Sequence, residues 1–438
     1  MTAQEKYDVL TRLVARTSSA TPPHTLGRKR EGVSLDELLG LLRGGRVATR
    51  LAASRSVYVH VPFCARRRCS FCMYRSTSDY SPPLISQYCG RLGEMVETLL
   101  PIKEQLRNLY IGGGTPTVLL PEELSGILGL FRSLEFNPLG ERTCEMSPTT
   151  ASVEHVDAVV RGGVNRISIG VQSFDPEVLG AVNRAAATPE MVSRLIARAR
   201  SQGVVDANVD LMFGLPKTNV HNTVESVKAA ISAGALSVSA YNYRQGMESL
   251  EKSEAAQEMM ARQFHAARDE FERQGWTCVS GNDETEYHLF YSPDRRRDTL
   301  RYWTSSNGIE NYRVDGFGSY ACGFTPALSY TCVSDAKEFS AGRMRYSVWQ
   351  SDEDEQMRLG AMNILYANRN TVDKGEFFSV FGVEFAEYFK KEISELRSIG
   401  KCAECEGKFS LLTDSHAESA VLQRFFLPER LFNGGDCG

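Results

Sequence analysis

The chain has 438 residues and a formal net charge of −4. That length is too great for one small domain and fits two or three, and the slightly acidic balance excludes the basic footprint of a nucleic-acid binder. No uninterrupted apolar run approaches the roughly 18 residues of a membrane span, and the N-terminus lacks the basic-then-apolar pattern of a signal peptide. A cytoplasmic protein without membrane or nucleic-acid partners is therefore expected. Eleven cysteines, an odd number scattered along the chain, do not form a disulfide framework and read as reduced thiols.

Residues 1–54 read as an N-terminal helical extension. Glu5 to Arg16 sets Tyr7, Leu10, Leu13 and Val14 at helical spacing. Thr17 to Arg30, rich in Ser, Thr, Pro and basic residues, reads as a linker. Ser34 with Glu37 makes a capping box for a second helix through Leu42, which Gly44 and Gly45 end. The extension carries no evident chemistry. Its expected role is to pack on the main domain or to cover its mouth.

Residues 55–280 alternate strand and helix. Strands are expected at 57–61, 108–112, 143–147, 166–171, 207–213 and 236–243, and helices at 84–99, 151–161, 189–202 and 221–233. Such a series implies an α/β protein built as a parallel sheet with helices outside, a partial (β/α)6 barrel. Functional groups in parallel barrels gather at the C-terminal ends of the strands.

Those ends are where the unusual residues fall. The run Val57, Val59, Val61 stops at Pro62, which cannot donate to a ladder. Cys64, Cys69 and Cys72 follow at once. Clustered thiols suit an iron–sulfur cluster; a structural zinc site and ordinary reduced thiols are the alternatives. The second strand ends in Gly112-Gly113-Gly114-Thr115, which lets a ligand approach the backbone and exposes N–H groups, or makes a tight turn. Glu145 ends the third strand and Gln172 the fourth. Arg184, just beyond, offers a forked donor set for a carboxylate. Asp210 lies within an apolar strand, where a carboxylate is costly unless paired. Arg244, after the sixth strand, and His288 are candidate catalytic groups.

Residues 281–350 read as an irregular connecting segment that covers the site. Residues 351–438 read as a helical domain, with Leu359, Met362, Leu365 and Tyr366 on one face. Cys402 and Cys405 form a lone CxxC without a second pair.

Several of these stretches together resemble a known family. Tyr58-Val-His-Val-Pro-Phe-Cys64, Cys69-Ser-Phe-Cys72, Gly112-Gly-Gly-Thr-Pro116, Glu145-Met-Ser-Pro148, Gly163 to Pro176 with Asn183-Arg184, and Asn208 to Pro216 are similar to the radical S-adenosylmethionine (SAM) enzymes of the oxygen-independent coproporphyrinogen III oxidase (HemN-like) group. Tyr302-Trp303, Gly316-Phe-Gly-Ser319 and the end of the chain extend the likeness. It implies the TIM-like partial barrel and a small C-terminal winged-helix-like domain. It implies a [4Fe–4S] cluster on Cys64, Cys69 and Cys72 and one or two SAM molecules. Tyr58 and Phe71 would pack beside them, while Gly113, Gly114, Thr115, Glu145, Gln172, Arg184 and Asp210 would hold SAM. The implied activity is reductive SAM cleavage to a 5′-deoxyadenosyl radical that takes hydrogen from a small-molecule substrate. Its electron would come from a donor such as flavodoxin or ferredoxin.

The chain also departs from the family. Four residues separate the first two cysteines, where the family has three. Ser147 replaces the usual Asn, Ala186 stands where a His is common, and Cys72-Met-Tyr-Arg replaces Cys-Gly-Cys-Asn. Arg244 replaces a small residue. These departures favour C-methylation, cyclopropanation or a related radical step on a specialised natural product. The alternative is a tetrapyrrole enzyme, of the coproporphyrinogen III dehydrogenase or anaerobic haem-degrading type, or a haem chaperone.

Overall fold

The computed structural model describes residues 1–17, 26–44, 55–100, 106–243, 254–280, 287–295, 313–325, 327–367, 370–413 and 415–428. The chain opens with helix α1 (Ala3–Thr17), strand β1 (Arg28–Val33) and helix α2 (Leu35–Gly44). Six strand–helix units follow: β2 (Arg55–Val61) and α3 (Pro82–Leu99), β3 (Leu106–Gly113) and α4 (Pro121–Gly129), β4 (Arg142–Met146) and α5 (Val153–Arg161), β5 (Arg166–Gln172) with α6 (Pro176–Ala181) and α7 (Pro189–Ser201), β6 (Asp206–Phe213) and α8 (Val220–Ser232), and β7 (Ser237–Asn242) and α9 (Glu254–Arg273). Strands β8 (Thr277–Ser280), β9 (Tyr287–Tyr291), β10 (Arg313–Phe317), β11 (Cys322–Thr325), β12 (Leu328–Cys332) and β13 (Tyr346–Gln350) complete one sheet.

That sheet runs β1-β13-β12-β11-β10-β2-β3-β4-β5-β6-β7-β9-β8. Strands β2 to β7 are parallel neighbours in chain order. The expected partial barrel is present, and its sheet does not close on itself among the described residues. The segment 281–350 is more regular than its sequence suggests. Its strand β10 pairs in parallel with β2, Arg313 opposite Arg55 and Phe317 opposite Val59. The end of the expected linker is also a strand. Arg28 to Arg30 of β1 pair antiparallel with Val348 to Gln350, and the Lys29 ammonium lies 5.5 Å from the Trp349 ring centroid. A charged strand at a sheet edge is protected against further pairing, which is why its composition resembles a linker.

Each barrel strand has two unlike faces. On β2, Val57, Val59 and Val61 are wholly buried under the helices. Ser56, Tyr58 and His60 alternate with them and point the other way. The inner face of the sheet carries a buried polar layer: Asn108, Thr143, Ser168, Asn208, Ser237 and Ser239. These groups satisfy one another, as buried polar atoms must. Asn208 Nδ2 donates to Ser168 Oγ at 2.9 Å, and its Oδ1 accepts from Ser237 at 2.9 Å and Ser239 at 3.0 Å. Deeper still, Arg166 meets Asp206 at 3.3 Å and Glu141 at 3.7 Å. Arg55 and Asp315, 3% and 1% exposed, pair at 2.7 Å and tie β10 to β2.

A second core lies in the C-terminal region and includes Phe377, Phe385, Phe389, Phe409 and Phe426. This region is not purely helical: strands Thr371–Asp373, Lys408–Leu411 and Cys402–Cys405 form a small antiparallel sheet. Cys402 and Cys405 belong to its outer hairpin. The N-terminal extension packs on the main domain as expected, through β1 and through Val33 and Leu38 in its core, and α1 reaches further. Leu10 and Val14 of α1 enter the C-terminal core, Lys6 pairs with Glu395 at 2.8 Å, and Tyr7 donates to Glu418 at 2.7 Å. No described helix is long and apolar enough to cross a membrane.

Candidate metal and cofactor site

The thiol loop is closed at its neck. Cys64 N–H donates to the Thr77 carbonyl at 2.9 Å and Thr77 N–H to the Pro62 carbonyl at 2.7 Å. Phe63, wholly buried, anchors this neck against the rings of Tyr80 and Tyr88. The tip of the loop is held from the opposite side. Asn183, in the left-handed region at φ 57°, donates through Nδ2 to the carbonyls of Arg67 at 3.2 Å and Arg68 at 3.4 Å. Ser70 N–H donates to the Val182 carbonyl at 3.2 Å. The four-residue gap between Cys64 and Cys69 is thus absorbed by a turn docked on residues 182–183.

The glycine turn after β3 packs directly behind this neck. Gly114 N–H donates to the Val61 carbonyl and Thr115 N–H to the Phe63 carbonyl, both at 2.7 Å. A Cβ on Gly114 would stand 2.5 Å from the Phe63 carbonyl oxygen. Gly113, at φ 107°, has no more room: a Cβ there would lie 2.8 Å from the His60 ring. The turn was expected to offer N–H donors to a ligand. Those of Gly114 and Thr115 are taken up by β2, so the glycines serve close approach instead. Thr115 Oγ1 lies 3.7 Å from Cys64 Sγ.

The remaining expected residues gather around the same mouth. Arg184 turns inward: it donates to the Gly170 carbonyl, places Nη1 3.9 Å from Cys69 Sγ, and sets its guanidinium 5.9 Å from the Phe71 ring centroid. Phe71 itself packs on Val178, Val182 and Leu215. Gln172 ends β5 at φ 74°, a conformation an unbranched non-glycine residue adopts only where its surroundings impose it. Glu145 accepts from Tyr110 OH at 2.7 Å. Burial pushes its carboxyl up to about 7, opposed by the Tyr110 hydrogen bond and reinforced by the charge of Asp210. Asp210 is raised by burial too, against the charge of Arg166 and hydrogen bonds from Ser168 at 3.1 Å and Asn208 at 2.7 Å.

Two further residues join the site. His60, 2% exposed, links Tyr58 OH at 2.9 Å through Nδ1 to the Arg75 carbonyl at 3.0 Å through Nε2. Burial holds its imidazole down at about 4, so it is neutral. A carbonyl only accepts, so Nε2 carries the proton and Nδ1 accepts from Tyr58. Strict alternation from Tyr58 would have placed His60 on the inner face. Tyr74, 40% exposed, lies within electrostatic reach of Glu145, Cys72, Asp210 and Cys322; nothing in its sequence context marks it.

The two catalytic candidates stand differently. Arg244 lies outside the described residues, as do Tyr302 and Trp303. His288 is 1% exposed on the helix-facing side of β9, opposite Ala240. Its ring stacks on Phe264 at 4.4 Å and lies 5.4 Å from Phe213. It packs the sheet against α9 and is no acid or base of this site.

Residues 58–230 match the model of the radical SAM superfamily. The whole architecture overlays the coproporphyrinogen III oxidase HemN of Escherichia coli, with a TM-score of 0.69 at 20% identity over 91% of this chain and 94% of that one. Residues 58–230 thus carry a radical SAM superfamily segment on a HemN-like fold. It is 32% identical over 233 residues to an oxygen-independent coproporphyrinogen III oxidase of Paracoccus denitrificans, covering 52% of this chain and 49% of that protein. It is 31% identical over 192 residues to the haem chaperone HemW of Bacillus subtilis, covering 43% of this chain and 50% of that protein. The chain thus spans about half the length of these curated relatives.

The residues fit the cofactors this family implies. Cys64, Cys69 and Cys72 form no disulfide, and the Cys72 thiol is pushed up to about 11 by burial and by its two neighbours. The three therefore share one environment. They are not drawn tight: among the described residues no three His, Cys, Asp or Glu groups are placed to hold a single ion. Three thiols suit three corners of a cluster, whereas a structural zinc site takes four ligands. The glycine turn holds β3 against the thiol loop, and Glu145, Asp210 and Arg184 line the mouth beside it.

Gly114→Ala is expected to lower both Tm and the iron retained after anaerobic reconstitution, because neither backbone can withdraw. Gly126→Ala, whose Cβ would meet nothing within 4 Å, should change neither. Glu145 gives a pH signature in the cofactor-free protein. Below pH 4.5 its carboxyl is protonated in both the folded and the unfolded chain. Between there and about 7 the unfolded chain ionises first, so stability falls as pH rises. The Tm advantage of Glu145→Gln over the wild type should therefore grow from pH 5 to pH 7.5, as thermal melts across that window would show.

Proposed function

We propose that the protein is a radical SAM enzyme acting on a tetrapyrrole-like substrate by hydrogen abstraction. The observation that carries this reading is the thiol loop of β2, locked neck-to-turn onto the glycines of β3, with Glu145, Asp210 and Arg184 behind it. Cys64, Cys69 and Cys72 would hold the cluster at three corners. Gly113 and Gly114 would hold the turn against the thiol loop, Thr115 would stand beside Cys64 where SAM meets the cluster, and Arg184 would lie near its carboxylate. Glu145 and Asp210 would accept hydrogen bonds from its ammonium or hydroxyl groups. Bound together, cluster and SAM supply a 5′-deoxyadenosyl radical able to take a hydrogen atom from carbon. The rings of Tyr58 and Phe71 would keep water from that step.

The substrate class follows from the relatives, which are named coproporphyrinogen oxidases and a haem chaperone. Methylation or cyclopropanation, the expectation drawn from Ala186 and Cys72-Met73-Tyr74-Arg75, has no counterpart in those names. Oxidation of a tetrapyrrole side chain is therefore the preferred reaction.

The test is mass spectrometry of SAM products after anaerobic reconstitution with iron and sulfide and reduction by dithionite. 5′-Deoxyadenosine should form in the wild type, vanish in Cys69→Ala, and increase when coproporphyrinogen III is supplied. S-Adenosylhomocysteine with a methylated product would overturn the oxidative reading. A well-formed cluster that binds haem and never cleaves SAM would favour a chaperone.

A further inference from the structure

The turn between the first two thiols carries Arg66, Arg67 and Arg68, all exposed. The docking of this turn on Asn183 engages the backbone carbonyls of Arg67 and Arg68 and leaves the side chains to solvent. No ion pair among the described residues involves these three arginines. Asp79, on the same connection after β2, pairs instead with Lys337 at 2.7 Å, and Glu177 of α6 lies 3.9 Å from Lys217. Arg75 lies over the Tyr320 ring at 5.6 Å, and Arg184 is turned inward. A chain of net charge −4 thus gathers three adjacent positive charges on the loop that bears its thiols.

Three neighbouring like charges repel one another, so the arrangement costs stability unless a partner uses it. A small anion gains little from guanidinium groups standing in water, where an exposed pair contributes under about 1 kcal/mol. A protein with an acidic face gains more, because many charges act together and steer the encounter.

We propose that Arg66, Arg67 and Arg68 form the docking surface for an acidic one-electron protein reductant. This rests on the reading that Cys64, Cys69 and Cys72 hold an iron–sulfur cluster. The surface brings the donor to the loop that carries the thiols. One electron leaves the donor's cofactor, which is oxidised by one, and enters the cluster, which is reduced by one. No bond is made or broken. Elsewhere, the acidic balance of the chain turns an acidic partner away.

The probe is an acidic flavodoxin, titrated by fluorescence anisotropy into the full-length protein, both cofactor-free and reconstituted, at low and at physiological ionic strength. The wild type should bind it in both forms and weaken as salt rises. The variant R66Q/R67Q/R68Q should bind about tenfold or more weakly at low salt and lose most of the salt dependence. R66K/R67K/R68K, which keeps the charge, should retain binding. Iron and sulfide content, and SAM cleavage driven by excess dithionite, should be the same in all three, and flavodoxin-driven cluster reduction should fall in the glutamine variant alone. Equal flavodoxin binding by wild type and glutamine variant, or wild-type binding that ignores salt, would overturn the proposal. Absence of iron and sulfide from the reconstituted wild type would overturn the cluster reading, and it is read independently of association.

Discussion

The site depends on how closely two backbones approach. Strand β3 can lay its terminal turn against the thiol loop only because Gly113 and Gly114 have no side chains. With Val61 in register with Gly113, the bonds from Gly114 to Val61 and from Thr115 to Phe63 make the first thiol and the glycine turn a single unit. The Thr77 bonds close the loop at the same residues. Every later element of the site is placed relative to this contact. The loop tip reaches Asn183 at the end of α6, and Arg184 then returns toward Cys69 and Gly170.

Below the mouth, the barrel interior is polar rather than apolar, and this sets the electrostatics above. Asn208, Ser168, Ser237 and Ser239 share their hydrogen bonds, so burying them costs little net. The same network supplies two donors to Asp210. Arg166 lies deeper, beside Asp206 and Glu141, and only partly offsets the two upper carboxylates. Glu145 is left near neutrality without a ligand. A cation bound beside it would restore its charge, which fits a site that accepts a positively charged cofactor.

Much of this was legible in the sequence, for physical reasons. β-Branched alternation marks β2, and glycine, proline and acidic residues at strand ends mark the turns where side chains meet. Strand β10 was hidden because it is short and pairs with β2, far away in sequence. Strand β1 was hidden by its edge charges. His288 misled because an isolated histidine carries no sign of which sheet face it takes; a ring between Phe264 and Phe213 is a packing position. His60 could have been placed on the inner face of β2 by alternation from Tyr58, whereas Tyr74 belongs to the site through its neighbours alone, which no local pattern reports. The extra residue before Cys69 departs from the family spacing. The Asn183 clamp shows how the loop accommodates it.

The central claim is that three thiols hold a cluster with one iron left open to SAM. Mössbauer spectroscopy of the protein reconstituted with ⁵⁷Fe, recorded with and without SAM, addresses this most directly. The account predicts a [4Fe–4S] spectrum in which one iron site changes on adding SAM. A spectrum that SAM leaves unaltered, or iron bound without sulfide, would contradict it.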